Sequence, residues 1–102
     1  MFKIKADPTF EASITVVGQG REQKLSMTFR HKTRTEYADL VQSVADGKKA
    51  IDEVLLELIE KWDADMDLNK DSLKLLHEHQ PGSDWAILIG YGEALAVARK
   101  GN

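Results

Sequence analysis

The sequence predicts an α+β fold, with an antiparallel β-hairpin or three-stranded sheet followed by about four helices. Two observations carry that prediction. Apolar residues alternate with period two on both sides of a glycine-bounded turn, through residues 10–17 and 25–29. At Thr33 the apolar spacing changes to three and four residues, and helical patterns dominate from there on. The first period belongs to half-buried strands and the second to amphipathic helices.

In the first strand, Phe10, Ala12, Ile14 and Val16 share one face. Gly18-Gln19-Gly20 supplies residues that tolerate positive φ. Leu25, Met27 and Phe29 then form the apolar face of the return strand. Phe2 and Ile4 suggest a further short strand before the break at Asp7-Pro8. An isolated hairpin is marginal in water, so its apolar face must cover the helices.

The helical part opens with Thr33-Arg34-Thr35-Glu36, a capping box with Thr33 as N-cap. Tyr37, Leu40, Val41 and Val44 follow at helical spacing, and Gly47 suits a left-handed stop. A second helix is expected over 48–62, where Ile51, Val54, Leu55, Leu58, Ile59 and Trp62 recur on one face. Residues 63–71 form an acidic connector, with Asn69, Asp71 or Ser72 available to cap a short helix over 72–80. A last helix is expected over 83–99, capped by Ser83 or Asp84. Arg99 and Lys100 would complement its dipole, and Gly101 would end it.

The length of 102 residues suits one domain, 1–102, with a β-rich part at 1–32 and a helical part at 33–102. There is no cysteine, which removes disulfides, thiolate metal sites and a cysteine nucleophile from consideration. No leader or anchor is visible. The most apolar stretch, Trp85 to Ala98, is too short for a bilayer and is interrupted by Glu93. Residues 1–34 hold seven Lys/Arg against three Asp/Glu, and residues 35–102 hold seven against fourteen. The front is therefore basic and the back acidic.

No motif specifies catalysis. Asp67, Asn69, Asp71 and Glu78 fall at EF-hand positions 1, 3, 5 and 12, but Ser72 stands where that loop needs glycine. His77 and His79 lack the i, i+4 spacing of a helical metal site. Neither a catalytic residue, a metal site nor a cofactor is expected.

Two stretches are candidates for binding a partner. Arg30-His31-Lys32-Thr33-Arg34 is a basic turn whose Arg30, Lys32 and Arg34 could meet an acidic surface. Nucleic acid is disfavoured there, because Glu36 and Asp39 follow and no stacking aromatic accompanies the charge. The last helix is apolar nearly all round. Ile87, Leu88, Tyr91 and Leu95 suit the core, while Trp85, Ile89, Ala96 and Val97 occupy the other side. That second side is either buried centrally or completed by a partner. Ala86, Gly90, Ala94 and Ala98 would let another helix approach closely.

The chain resembles the small phage-encoded tail assembly chaperone-like proteins. The likeness lies in the opening Phe2-Lys3-Ile4-Lys5-Ala6-Asp7-Pro8-Thr9-Phe10 and the turn Phe29 to Arg34. It continues in Trp62-Asp63, in Leu75-Leu76 leading to Gln80-Pro81-Gly82, and in the close Ala98-Arg99-Lys100-Gly101-Asn102. Gln80 departs from the family's usual aromatic, and Gly90 and Gly92 make the last helix glycine-rich. The resemblance implies a bacteriophage or prophage protein acting in the bacterial cytoplasm. It implies binding to the tape measure or tail tube protein during tail morphogenesis, without catalysis or cofactor. It leaves the oligomeric state open. The alternative is a small regulatory or nucleic-acid-binding protein using the basic turn from Arg30 to Arg34.

Overall fold

The computed structural model describes residues 1–97. Two ten-residue strands, β1 (Thr9–Gly18) and β2 (Arg21–Arg30), form an antiparallel hairpin. Gln19 and Gly20 make its two-residue turn with φ of 54° and 73°. Positive φ at both positions is the geometry that matches the twist of the flanking strands. The register pairs Phe10 with Phe29 and Ile14 with Leu25, so the two apolar faces coincide.

Four helices follow: α1 (Arg34–Ala45), α2 (Ile51–Leu58), α3 (Lys70–His79) and α4 (Ser83–Leu95). The α1 capping box forms as expected. Glu36 N donates to Thr33 Oγ1 at 3.2 Å, and Thr33 N donates to Glu36 Oε1 at 2.9 Å. The bond from the Thr33 amide, with a lesser contribution from the Thr33 side chain, holds the Glu36 carboxyl below its ordinary range. Gly47 takes φ of 72° just beyond the end of α1. Asn69 caps α3 through a reciprocal pair with Ser72, at 2.9 and 3.1 Å.

The third strand does not come from the N-terminus. Residues 1–8 are not paired into the sheet, and Phe2 and Ile4 are 88% and 90% exposed. It comes instead from Ile59–Trp62 (β3), which pairs antiparallel with β2 in the order β1-β2-β3. The helix expected over 48–62 is therefore only Ile51–Leu58, and the part expected to be wholly helical contributes a strand. Two forces make the change. The Arg30 guanidinium sits on the carbonyls of Leu56, Glu57 and Ile59 at 3.2, 3.4 and 3.0 Å, at the end of α2. Past that cap, β2 offers a main-chain edge that 59–62 can pair with, apart from a register shift beside Phe29. Ile59 is buried and Trp62 half-buried in this arrangement, as they would be on a helix, so the spacing alone could not separate the two.

α4 also differs from expectation at both ends. Its N-cap is Gly82, in the left-handed region with φ of 91°, and not Ser83 or Asp84. Asp84 instead accepts from the Trp85 amide at 2.8 Å. The helix ends at Leu95, because Ala96 is already extended. The roles expected for Arg99, Lys100 and Gly101 lie outside the described residues.

The sheet packs one face on the helices. Phe29, Val54, Leu55, Leu58, Ile87 and Tyr91 are fully buried between them. Phe10, Phe29, Tyr37 and Tyr91 form an aromatic cluster at the junction of β1, β2, α1 and α4. Phe29 meets Tyr91 edge-on at 5.0 Å between ring centroids, and Tyr37 lies 5.2 Å from Tyr91.

Candidate protein-binding surface

The candidate surface follows from where α4 sits. A Cβ on Gly90 would collide with the Ile14 side chain, so this side of α4 lies directly against β1. Residues on a helix are turned about 100° from their neighbours. From Gly90, one step leads to Tyr91, which is fully buried, and one step back leads to Ile89, which is 54% exposed. The core and α2 lie on the Tyr91 side. Ile89 therefore faces the open side of the helix.

Trp85 lies one turn before Ile89 and is 41% exposed. Val97, beyond the helix end, is also exposed. The side of α4 holding Trp85 and Ile89 is thus a surface and not a centrally buried face. Ile87, Leu88 and Tyr91 fix the same helix in the core, so the exposed side chains stand on a rigid support. The close approach at the glycines is real, but its partners are a strand side chain and a tyrosine. A Cβ on Gly92 would lie 2.5 Å from the Tyr37 hydroxyl oxygen.

β1 is an edge strand, and among the described residues no strand pairs with its outer side. Ten residues long and carrying only Glu11 as a charge, it presents unpaired main-chain groups along its outer side. Sequence patterning could not reveal this. Which strand is an edge depends on where β3 pairs, and β3 is 29 or more residues from β2 in the chain.

The basic turn is differently placed. Arg30 spends its guanidinium on the α2 and β3 carbonyls, and Lys32 Nζ lies 3.4 Å from Glu57. Tyr91 Oη accepts from the Lys32 amide at 2.8 Å. Arg34 opens α1 with an exposed side chain. Arg30 and Lys32 are thus engaged by neighbouring parts of the fold.

Chemistry-bearing groups do not converge. His77 Nδ1 lies 3.2 Å from Asp84 Oδ2, but the buried Ser83 Oγ beside them bonds to neither. Asp71 and Glu78 lie two turns apart on α3, so no EF-hand loop is formed. Among the described residues no three His, Asp or Glu side chains are gathered to hold a metal ion. No described helix is long and apolar enough to cross a membrane.

Comparison with known families matches the full length of the chain, residues 1–102, to a model described as phage tail assembly chaperone. The chain belongs to the phage tail assembly chaperone family. No curated protein and no solved structure matches it. Large apolar side chains grouped on one exposed side of a helix are the kind of surface that association can cover.

Proposed function

We propose that this chaperone holds a phage tail protein, the tape measure or the tail tube protein, before assembly in the host cytoplasm. It does so by covering apolar surface on that partner, without catalysis and without a cofactor. Trp85, Ile89 and Val97 make the contact, and the outer edge of β1 is free to add main-chain hydrogen bonds to an extended segment. Arg34, exposed at the start of α1, supplies a charge, with Arg30 and Lys32 holding the turn that presents it.

The observation that carries this reading is the pairing of Trp85 and Ile89 on the open side of a helix whose other side is fully buried. Large apolar groups on a rigid base are the usual centres of binding energy, with Trp foremost. The family assignment supplies the class of partner. The test is co-expression with the tape measure and tail tube proteins of the same phage, followed by affinity capture. Retention of one of them by the native chain, and its loss with Trp85→Ala, is the expected result. Equal capture by the native chain and the variant would refute the surface.

A further inference from the structure

β3 covers only part of β2. The two strands pair between Met27 and Phe29. Asp63 closes this ladder, its amide donating to the Ser26 carbonyl at 3.1 Å and its Oδ1 accepting from the Ser26 amide at 2.9 Å. Residues 21–25 of β2 run on with β1 along one side and, among the described residues, no strand along the other.

The β1–β2 ladder has no register shift, so successive residues of β2 turn their main-chain groups to opposite sides. The amide and carbonyl of Ser26 both point toward β3. Those of Lys24 and Glu22 therefore point the same way, but past the end of β3, where no strand meets them. Both residues are exposed. Donors and acceptors at every second residue are what a further strand pairs with.

This open stretch borders a cleft of about 480 Å³ between the hairpin, the connector and α3. Val16, Leu25, Trp62 and Leu76 line it, each half-buried. Trp62 Nε1 donates to the Met66 carbonyl at 2.8 Å, which fixes the ring in the lining. Asp65 stands on the connector wall and Arg21 on the hairpin wall. Among the described residues neither has an opposite charge within 4.0 Å. The cleft is thus an apolar trough with one charge of each sign, alongside main chain that lacks a partner.

We propose that an extended segment of the tail protein docks beside Glu22–Lys24 of β2, in line with β3. Main-chain bonds to Glu22 and Lys24 hold it. Side chains of an extended segment alternate between two faces, so every second one enters the cleft. Those that enter are large and apolar, against Trp62 and Leu76. A Lys or Arg of the segment meets Asp65, and an Asp or Glu meets Arg21. A helix does not fit this role, because its main-chain groups are already bonded to one another. The class of partner rests on the function proposed above, while the site is separate from both the Trp85/Ile89 surface and the outer edge of β1.

The test titrates overlapping peptides covering the tape measure and tail tube proteins into the full-length chain, with amide hydrogen exchange read by NMR. One peptide with alternating apolar residues should slow exchange at Glu22 and Lys24. It should leave Arg21 and Gln23 unchanged, since their amides point to β1. It should also move the indole N–H resonance of Trp62 and not that of Trp85. Asp65→Lys, at an exposed position, should weaken this peptide severalfold, and reversing the matching charge on the peptide should restore it. Capture of the whole tail protein, with no peptide that slows exchange at Glu22 and Lys24, would overturn the proposal and leave the Trp85/Ile89 surface standing. Slowed exchange at both residues, with capture undiminished by Trp85→Ala, would do the reverse. If neither peptide nor whole protein binds, both fall. Protection of Glu22 and Lys24 that needs no peptide and grows with the chain's own concentration would place a second copy in the slot, and would also overturn the proposal.

Discussion

Tyr91 on α4 bridges the end of β2, donating a 2.7 Å hydrogen bond to the Arg30 carbonyl while accepting one from the Lys32 amide. One buried phenol thereby satisfies two main-chain groups where the chain leaves the sheet for α1. It also ties the helix that carries Trp85 and Ile89 to the strand that carries the basic turn.

Tyr91→Phe should keep the ring packing against Phe10 and Phe29 but leave an amide and a carbonyl without their partner. Stranded polar groups of this kind cost about 1–3 kcal/mol. For a chain of this size the melting temperature should fall by roughly 4–8 °C per kcal/mol. A melt within a degree of the native one would show that water replaces the phenol freely.

The same environment sets an alkaline limit. Burial raises the pKa of Tyr91 above its ordinary value, and burial likewise raises that of Tyr37. Both phenols therefore stay protonated in the folded chain at a pH where the unfolded chain loses its protons. Their stabilising contribution is complete below about pH 10 and is lost as pH rises through the higher folded values. Melting temperature should decline above about pH 10, and Tyr91→Phe should decline less steeply. Equal slopes would remove Tyr91 as a cause.

The two helix glycines should respond differently to alanine. At Gly90 the new methyl meets the far end of the Ile14 side chain, which can rotate away. At Gly92 it meets the Tyr37 ring, with Cε2 and Cζ both at 2.8 Å. That ring is held by its hydroxyl donating to the Leu88 carbonyl at 2.7 Å. Gly92→Ala should destabilise by about 1–3 kcal/mol through overpacking. Gly90→Ala should cost less, because the helix gains about 1 kcal/mol of propensity from losing a glycine. Chemical denaturation of both variants, with Ile14→Val added to the Gly90→Ala chain as relief, checks the order.

Those glycines show how far the sequence could be read. The small residue at Gly90 pointed to a close approach by another helix, but what meets Gly90 is Ile14 of β1 and what meets Gly92 is Tyr37, 55 or more residues away in the chain, and these carried no local signal. The hairpin was legible because ten-residue strands give enough alternation to fix a face, and Gln19-Gly20 fits only a few turns. The capping box at Thr33 was legible because its bonds are local, whereas the sequence offers Asn69, Asp71 and Ser72 alike as caps for α3, and the reciprocal Asn69–Ser72 pair decides for Asn69. β3 was not, since four residues are too few to separate period two from period 3.6. Arg30 looked like surface charge because the carbonyls it holds lie 26–29 residues further along. The free edge of β1 was invisible for the same reason, as it depends on where β3 pairs.

Arg30→Ala should loosen the junction between α2 and β3. Three carbonyls lose a charged donor, although the bonds are largely solvent-exposed, so the expected cost is only about 1 kcal/mol. The sharper readout is local. Amide hydrogen exchange at Ile59–Trp62 should quicken more than exchange in β1. Uniform quickening would mean that Arg30 supports the whole fold and not this junction.

The decisive measurement on α4 compares three carboxylates, two placed two residues apart on the helix and the third at Val97, beyond its end. Ile89→Glu and Val97→Glu alter exposed positions, so each should change stability by no more than about 0.5 kcal/mol. Ile87→Glu puts the same group at a fully buried position. An unpaired carboxylate there costs several kcal/mol, a large share of the roughly 5–15 kcal/mol that holds a domain together. Thermal melts should therefore separate Ile87→Glu sharply from the other two. Capture of the tail protein should follow a different order. Ile89→Glu desolvates a charge against an apolar partner and should lose binding while melting normally. Val97→Glu lies beyond the helix end and should weaken capture less than Ile89→Glu. Normal melting with undiminished capture by Ile89→Glu would move the partner surface off α4, and the outer edge of β1 would become the place to test next.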